Sequence, residues 1–135
     1  MNGMTWNSAM SVNVESLDAQ HRTLIALINE LGDAMNNGKT DVVIGSVLSK
    51  LIAYTQFHFD YEENCMVISC FAHLDHHKCE HDGLKKKVKS LEKDFLAGKA
   101  NIADEIMNTL QQWLHQHIME SDKQYSPHFI QNGIQ

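Results

Sequence analysis

The apolar residues of this 135-residue chain repeat with the period of an α-helix along almost its whole length. Steps of three and four residues place such side chains on one face of a helix. Glycine is sparse, and the one proline, Pro127, lies near the end, so little interrupts long helices. The stripes predict four helices, an N-terminal arm at 1–17 and a tail at 125–135. The helices are expected at about 18–37, 41–65, 73–97 and 102–124.

Four amphipathic helices joined by short connections predict an all-α fold, an up-down-up-down antiparallel four-helix bundle with an irregular arm, as one domain over 1–135. Asp18 and either Thr40 or Asp41 are expected N-caps, and Gly98 suits a left-handed position after helix three. Residues 64–72 are apolar enough for a short strand, but their place between two helical stripes favours a tight connector. In the arm, Trp6 is expected to pack on the bundle.

Charge and composition exclude several classes of partner. With 11 Lys+Arg against 17 Asp+Glu, the net charge of -6 repels phosphate backbones, so nucleic acid is not expected. The longest apolar run, Leu24 to Ile28, is far shorter than the roughly 20 residues of a membrane span. No export signal begins the chain, which predicts a cytoplasmic protein. The cysteines Cys65, Cys70 and Cys79 are odd in number and form no Cys-x-x-Cys, which favours reduced thiols.

Polar, titratable residues occupy seven stripe positions where a bundle ordinarily has leucine. Burying an unpaired imidazole or carboxylate is costly, so each needs a partner. The seven lie near the starts of the odd helices and the ends of the even ones, which share one end of an antiparallel bundle. They are therefore expected in one layer. They are His21, His58, Glu62, His77, His81, His117 and Asp122.

The spacing within this layer favours metal binding. His58/Glu62 and His77/His81 are pairs four residues apart, which lie about 6 Å apart on one helix face. His117 and Asp122 are five apart, and both point inward only if they straddle the buried stripe or if a π-bulge intervenes. Five imidazoles and two carboxylates are too many for one zinc, and calcium and magnesium prefer oxygen. Two divalent transition metals fit better, with a carboxylate bridging both.

Four motifs in order make the chain resemble the hemerythrin family, specifically its single-domain bacterial members, over nearly the whole length. Trp6 also resembles the N-terminal tryptophan of that family. The motifs are Asp18-Ala-Gln-His21-Arg, Phe57-His58-Phe-Asp-Tyr-Glu62-Glu63, His77-Lys-Cys-Glu-His81 and Trp113-Leu114-x-x-His117-Ile118-x-x-x-Asp122.

The resemblance implies a non-haem di-iron centre with an oxo or hydroxo bridge. One iron would be bound by His77, His81 and His117, and the other by His21 and His58. Glu62 and Asp122 would bridge the two irons, and the iron with two histidines would have the open position for dioxygen. The resemblance also suggests Leu24, Trp113, Leu114 and Ile118 as pocket walls.

The chain departs from the family pattern before helix three. Phe71-Ala72 stands where the family usually has Tyr-Pro, and the nearby His73 and His76 are expected to be non-ligands near the bundle end. His115 is expected to face away from the layer, and Cys79 lies about 200° around the helix from His77.

The resemblance implies reversible dioxygen binding for carriage, storage or sensing, with an oxygen-consuming protein as a candidate recipient. The alternatives are a di-iron oxidase, peroxidase or nitric-oxide-handling enzyme, and an iron storage or buffering protein. Ferritin-like di-iron proteins use Glu-x-x-His motifs, and the sequence contains none. A histidine-rich ligand set also disfavours high-valent iron, so binding is preferred to catalysis. The sequence gives no oligomeric state.

Overall fold

The computed structural model describes residues 3–135, so the first two residues of the predicted arm lie outside the described residues. The long helices pack in a closed ring, because α1 and α3 each contact both α2 and α4. No strand occurs in residues 3–135. The all-α four-helix bundle is confirmed. The helical elements are α1 (Glu15–Asn36), α2 (Asp41–Ser69), α3 (Leu74–Leu96), α4 (Ile102–Gln116), a π-helical segment (His117–Asp122) and α5 (Lys123–Gln131).

Two predicted helix ends are confirmed. The Thr40 hydroxyl accepts a hydrogen bond from the Val43 N–H at 3.3 Å and caps α2. Gly98 follows α3 with a φ of 76°, a left-handed conformation in which a side chain would be strained.

The predicted N-cap of the first helix is wrong. The helix α1 begins at Glu15, so Asp18 lies within its first turn. The buried carboxylate of Asp18 accepts hydrogen bonds from the Ser11 hydroxyl at 2.6 Å and from the Val12 N–H at 2.9 Å. Asp18 therefore ties the arm to the helix through residues six and seven positions before it, a role that a capping pattern does not reveal.

The predicted connector at 66–72 is too long. The helix α2 continues to Ser69, and the turn consists of residues 70–73, with Cys70 in a left-handed conformation at a φ of 58°. Residues 64–69 stay helical because Cys65 and Met66 are buried against the C-terminal part of the chain.

The predicted tail is also wrong, because residues 123–131 form α5 with Pro127 inside it. A proline within a helix removes one hydrogen bond and ordinarily ends or kinks the helix. Packing outweighs this cost here. The rings of Tyr125 and Phe129 are fully buried and stacked with their centroids 4.2 Å apart, and the Ser126 hydroxyl donates to the Val12 carbonyl.

Two apolar clusters divide the interior. The larger cluster fills most of the bundle and includes Leu31, Leu48, Leu51 and Ile106. The smaller one closes the other end and joins residues of the arm, α1, α2, the connector and α5. Its buried members are Val12, Val14, Leu17, Cys65, Met66, Phe71, Tyr125 and Phe129. As predicted, Trp6 packs on the bundle, where Arg22 lies over its ring at 4.9 Å.

By length and composition alone, α2 could cross a membrane. Its most apolar window has a mean hydropathy of 1.2, and 28% of that window is buried inside the bundle. The same helix carries the buried His58 and Glu62 and runs from the larger apolar cluster, with Leu48, into the smaller one, with Met66. The sequence expectation of no membrane span stays a prediction.

Candidate metal centre

The structure brings all seven predicted residues into one layer between the two apolar clusters. Every one of them is at least 96% buried. His21 comes from α1, and His58 and Glu62 come from α2. His77 and His81 come from α3, and His117 and Asp122 are the first and last residues of the π-helical segment. Their ligation of iron stays a prediction. We call these seven residues the histidine layer.

The π-helical segment explains how His117 and Asp122 face the same interior. A π-helix bonds residues five apart, so its turn is wider than that of an α-helix and residue i+5 returns near the face of residue i. Of the two arrangements that the sequence left open, the structure has the π-helical one.

Three histidines form a first group around one oxygen of each carboxylate. The Nε2 atoms of His77 and His81 both lie 2.9 Å from Glu62 Oε1. The Nε2 atoms of His77 and His117 both lie 3.0 Å from Asp122 Oδ1. His117 Nε2 is also 3.0 Å from that of His77 and 3.1 Å from that of His81. The three ring nitrogens therefore converge on a single point.

Two histidines form a second group around the other oxygen of each carboxylate. His21 Nε2 lies 3.1 Å from Asp122 Oδ2 and 3.7 Å from Glu62 Oε2, and His58 Nε2 lies 3.4 Å from Glu62 Oε2. Glu62 and Asp122 thus each present one oxygen to each group. Two sets of donor atoms meet the distances of a metal site and share these carboxylates. This is the arrangement that two bridged metal ions need.

The carboxylates strongly perturb three of the histidines. Burial opposes the charged form of His21, but the close approach and charge of Asp122 and Glu62 outweigh it and raise its pKa to about 9. The same balance raises the pKa of His77 to about 9 and that of His117 to about 10. Without metal, these imidazoles hold protons at neutral pH.

The pKa values of His58, Glu62 and Asp122 shift in the opposite direction. Burial lowers the pKa of His58. Burial alone would raise the pKa of Glu62, but the surrounding histidines, led by His58, hold it well below its usual range. Burial and the Glu62 charge would raise the pKa of Asp122, yet His117 and His21 keep it low. Both carboxylates are therefore ionised and available as ligands.

Several buried nitrogen and oxygen atoms of the layer make no hydrogen bond within the described residues and could instead bind a metal ion. Both ring nitrogens of His21, Nδ1 of His117 and both oxygens of Asp122 make no hydrogen bond within residues 3–135. The Asp122 oxygens lie 3.0–3.1 Å from histidine nitrogens without the alignment that a hydrogen bond needs. Buried polar atoms seldom lack partners. Imidazole and carboxylate donors suit iron, so two irons would satisfy this set.

Four residues that the sequence reasoning missed contact the layer, three of them through hydrogen bonds and Glu80 through a 3.5 Å approach to His117 Nδ1. The Tyr125 hydroxyl donates to Glu62 Oε2 at 2.8 Å. The other three lie beside outer ring nitrogens of the histidines, and they are Gln20, Glu63 and Glu80. Three of the four directly precede or follow a predicted ligand, at Gln20-His21, Glu62-Glu63 and Glu80-His81, and this adjacency was the available signal.

Aromatic rings shield the first group from the larger apolar cluster. Phe59 stacks on His81 at a centroid distance of 3.8 Å, and Trp113 stacks on His117 at 4.2 Å. Both rings also line a small cavity of about 20 Å³. Its lining includes the predicted pocket walls Leu24, Trp113 and Leu114; the fourth, Ile118, is fully buried and is not among the lining residues. The full lining is Leu24, Ile28, Leu51, Thr55, Phe59, Leu84, Leu110, Trp113 and Leu114.

The other histidines and two of the cysteines lie outside the layer. His73, His76, His115, Cys70 and Cys79 are exposed. In α5, His128 makes a hydrogen bond of 2.6 Å with the Ser69 carbonyl. Cys65 is buried in the smaller apolar cluster, and all three cysteines are free thiols.

The fold and the layer define a class, the four-helix bundles with a buried, histidine-rich site for two metal ions. The family model described as the hemerythrin HHE cation binding domain matches residues 12–129. The chain belongs to the hemerythrin family.

Similar proteins cover nearly all of the chain. The bacteriohemerythrin of Methylococcus capsulatus is 37% identical over 125 residues, which are 92% of this chain and 95% of that protein. The bacteriohemerythrin of Pseudomonas aeruginosa is 30% identical over 90% of this chain and 78% of its own. A wild-type hemerythrin crystal structure superposes with a TM-score of 0.87 at 36% identity, covering 93% of this chain and 97% of that one.

Proposed function

We propose that this protein binds dioxygen reversibly at a di-iron centre and serves oxygen carriage, storage or sensing. The observation that carries the proposal is the division of the histidine layer into two groups that share Glu62 and Asp122. Membership of the hemerythrin family supports the same function.

The two groups of residues would bind the two irons with different numbers of histidines. His77, His81 and His117 would bind one iron, and His21 and His58 the other, with Glu62 and Asp122 bridging. An oxo or hydroxo group would complete the bridge. When bound, the two irons would supply one electron each, and the side with two histidines would have one protein ligand fewer than the other side. The protein residues fix this asymmetry, because one group simply contains one imidazole fewer.

The surrounding side chains would keep water and reductants away from the centre. The cavity of about 20 Å³ is lined by apolar side chains with one polar exception, Thr55, whose hydroxyl is engaged with the Leu51 carbonyl at 2.8 Å. An apolar lining admits an apolar diatomic molecule more readily than ions, and exclusion of water would suppress side reactions.

The same cavity favours binding over catalysis. A volume of about 20 Å³ holds about one water-sized molecule, which suits a small diatomic ligand. The layer is also richer in imidazole than in carboxylate, which disfavours highly oxidised iron. We therefore propose an oxygen-binding protein rather than an oxidase.

Optical spectroscopy tests this function. The iron-loaded protein, reduced without air and then exposed to oxygen, is expected to develop a visible absorption band that disappears when oxygen is removed. Metal analysis is expected to find two irons per chain. His117→Ala should abolish the band, whereas the matched variant of the exposed His115 (His115→Ala) should retain it. One zinc per chain, or irreversible bleaching with oxidation of an added substrate, would contradict the proposal.

A further inference from the structure

The outer nitrogens of the layer histidines have different partners in the two groups. In the first group, His81 Nδ1 donates to the carboxylate of Glu63 at 2.7 Å. In the second, His58 Nδ1 donates to the amide oxygen of Gln20 at the same distance of 2.7 Å. The two contacts match in length and in the ring atom used, and they differ in the charge of the acceptor.

Two further histidines extend this difference. His117 Nδ1, in the first group, makes no hydrogen bond within residues 3–135, but it lies 3.5 Å from Glu80 Oε1, on a carboxylate that accepts from the Ser121 hydroxyl at 2.6 and 2.7 Å. His21 Nδ1, in the second group, has no hydrogen-bond partner within residues 3–135. The first group thus has one carboxylate that accepts a hydrogen bond from an outer nitrogen and a second carboxylate 3.5 Å from another outer nitrogen, whereas the acceptor in the second group is an amide oxygen.

Hydrogen bonding at Nδ1 fixes the tautomer of the ring. A ring whose Nδ1 carries the proton presents the lone pair of Nε2, and the Nε2 atoms of His81 and His58 both face the interior of the layer. A carboxylate acceptor draws the Nδ1 proton more strongly than an amide does, which raises the basicity of the opposite nitrogen. A more basic ligand stabilises the more highly charged ion.

We propose that Glu63 and Gln20 are positioning residues that make the two histidine groups unequal electron donors, with Glu63 lowering the reduction potential of the iron at the three-histidine position. Gln20 leaves the two-histidine position as the weaker donor site, where ferrous iron keeps its affinity for a further ligand. This inference rests on the di-iron function proposed above and adds an electronic difference to the difference in ligand number.

An exchange of acceptors tests the proposal. Glu63→Gln and Gln20→Glu preserve shape and change only the charge beside one imidazole. In the iron-loaded protein, titrated with a reductant without oxygen and followed by absorption, Glu63→Gln is expected to raise the midpoint potential. Gln20→Glu is expected to lower it. Neither residue is a ligand, so both variants should still contain two irons per chain.

Matched surface variants separate this effect from a general change in charge. Asp60→Asn removes one exposed carboxylate from α2, the helix that carries Glu63, and Gln112→Glu adds one on the exposed face of α4. Shifts in these controls should be less than half of those in the layer variants. Equal shifts in variants and controls, or shifts of the same sign for Glu63→Gln and Gln20→Glu, would overturn the proposal.

A larger truncation supplies a second readout. Glu63→Ala is expected to weaken iron affinity about 10- to 100-fold, as loss of such a hydrogen-bond partner commonly does. If Glu63→Gln loses iron, its midpoint potential cannot be measured. The expected fall in the midpoint potential of Gln20→Glu then tests the proposal alone. A wild-type protein that fails to hold two irons would instead refute the di-iron function, so the two failures are distinguishable.

Discussion

The histidine layer and the larger apolar cluster are built on the same four helices but face opposite physical demands. In the apolar cluster, Leu31, Leu48 and Leu51 are almost fully buried beside other apolar side chains, and their burial stabilises the fold with or without metal. In the layer, ionised carboxylates and imidazoles are equally buried, and several of their atoms have no hydrogen-bond partner within residues 3–135. The larger apolar cluster therefore stabilises the fold by itself, whereas the histidine layer contains buried donor atoms that fit a metal ion.

Removing a shared carboxylate should have the largest effect. Glu62→Ala or Asp122→Ala deletes an oxygen donor from both groups at once, so iron content is expected to fall from about two per chain to one or fewer. Metal analysis after desalting measures this, with the exposed Glu120→Ala as the control. Two irons retained in either layer variant would break the assignment of these residues as bridges.

The affinity of the layer for metal should depend steeply on pH. His21, His77 and His117 have raised pKa values of about 9 to 10, so each is protonated at pH 7 and must lose its proton to bind. Affinity is therefore expected to rise as pH rises, up to about tenfold per unit per proton, and to level off above pH 9 to 10.

Proton release measures this pH effect directly. Calorimetric titration with cobalt(II) at pH 7, in two buffers of different ionisation enthalpy, is expected to show release of about three protons. His58 should contribute none, since its pKa is lowered. Release of fewer than one proton would show that the layer is already neutral without metal.

A cavity in the larger apolar cluster should lower the stability of the fold and leave the iron content unchanged. Leu48 is fully buried, so Leu48→Ala is expected to lower the free energy of unfolding by about 2–5 kcal/mol while two irons are retained. Urea unfolding of the metal-free protein measures the first effect. Val42→Ala, at a side chain 82% exposed, is the control and should change stability by about 0.5 kcal/mol or less. Loss of iron in Leu48→Ala would mean that the two regions are not independent.

A smaller loss of stability is expected at Tyr125, which belongs to an apolar cluster and also contacts the histidine layer. Tyr125 is buried in the smaller apolar cluster, and its hydroxyl donates to Glu62. Tyr125→Phe leaves a buried carboxylate oxygen with one partner fewer and should destabilise the metal-free protein by about 1–3 kcal/mol. Tyr61→Phe, at a half-buried tyrosine of α2, is the matched control in the same urea experiment. Equal losses in both variants would remove the special role of the Tyr125 hydroxyl.

The smallest effects should come from the histidines outside the layer. His73 and His76 are exposed, so His73→Ala and His76→Ala should leave iron content unchanged and stability within about 0.5 kcal/mol. Metal analysis beside His77→Ala checks this, because His77 is only one residue away from His76 yet is buried in the layer. Loss of iron from either exposed variant would extend the site beyond the seven residues.

Much of the fold and of the candidate site was predictable from local patterns. The helical period placed His21, His58 and His77 on inward faces, and alternating helix direction placed them at one end of the bundle. The failures share a cause. Asp18 and Pro127 have strong local preferences, for capping and for ending a helix, and each was overridden by contacts between the arm and a helix. Asp18 accepts from Val12, and Ser126, next to Pro127, donates to Val12.

The hydrogen-bond partners of the layer histidines were harder to predict from the sequence. Gln20 and Glu63 adjoin predicted ligands, but each bonds a histidine on another helix, 38 and 18 residues away. Sequence adjacency therefore points to the wrong partner. The choice between a straddled stripe and a π-helical segment at His117 and Asp122 was likewise open, because a five-residue spacing fits both until the backbone path is known.

The sequence was sufficient to predict the four long helices, their packing as a bundle and the seven layer residues, because amphipathic period and the cost of burying polar groups act locally. The family resemblance implied two groups that share Glu62 and Asp122, and the interhelical distances show which oxygen of each carboxylate faces which group. Only the tertiary structure decided that α5 continues past Pro127 and that Glu63 and Gln20 support different histidines. These features depend on ångström-scale distances between helices, and no periodicity within one helix encodes such distances.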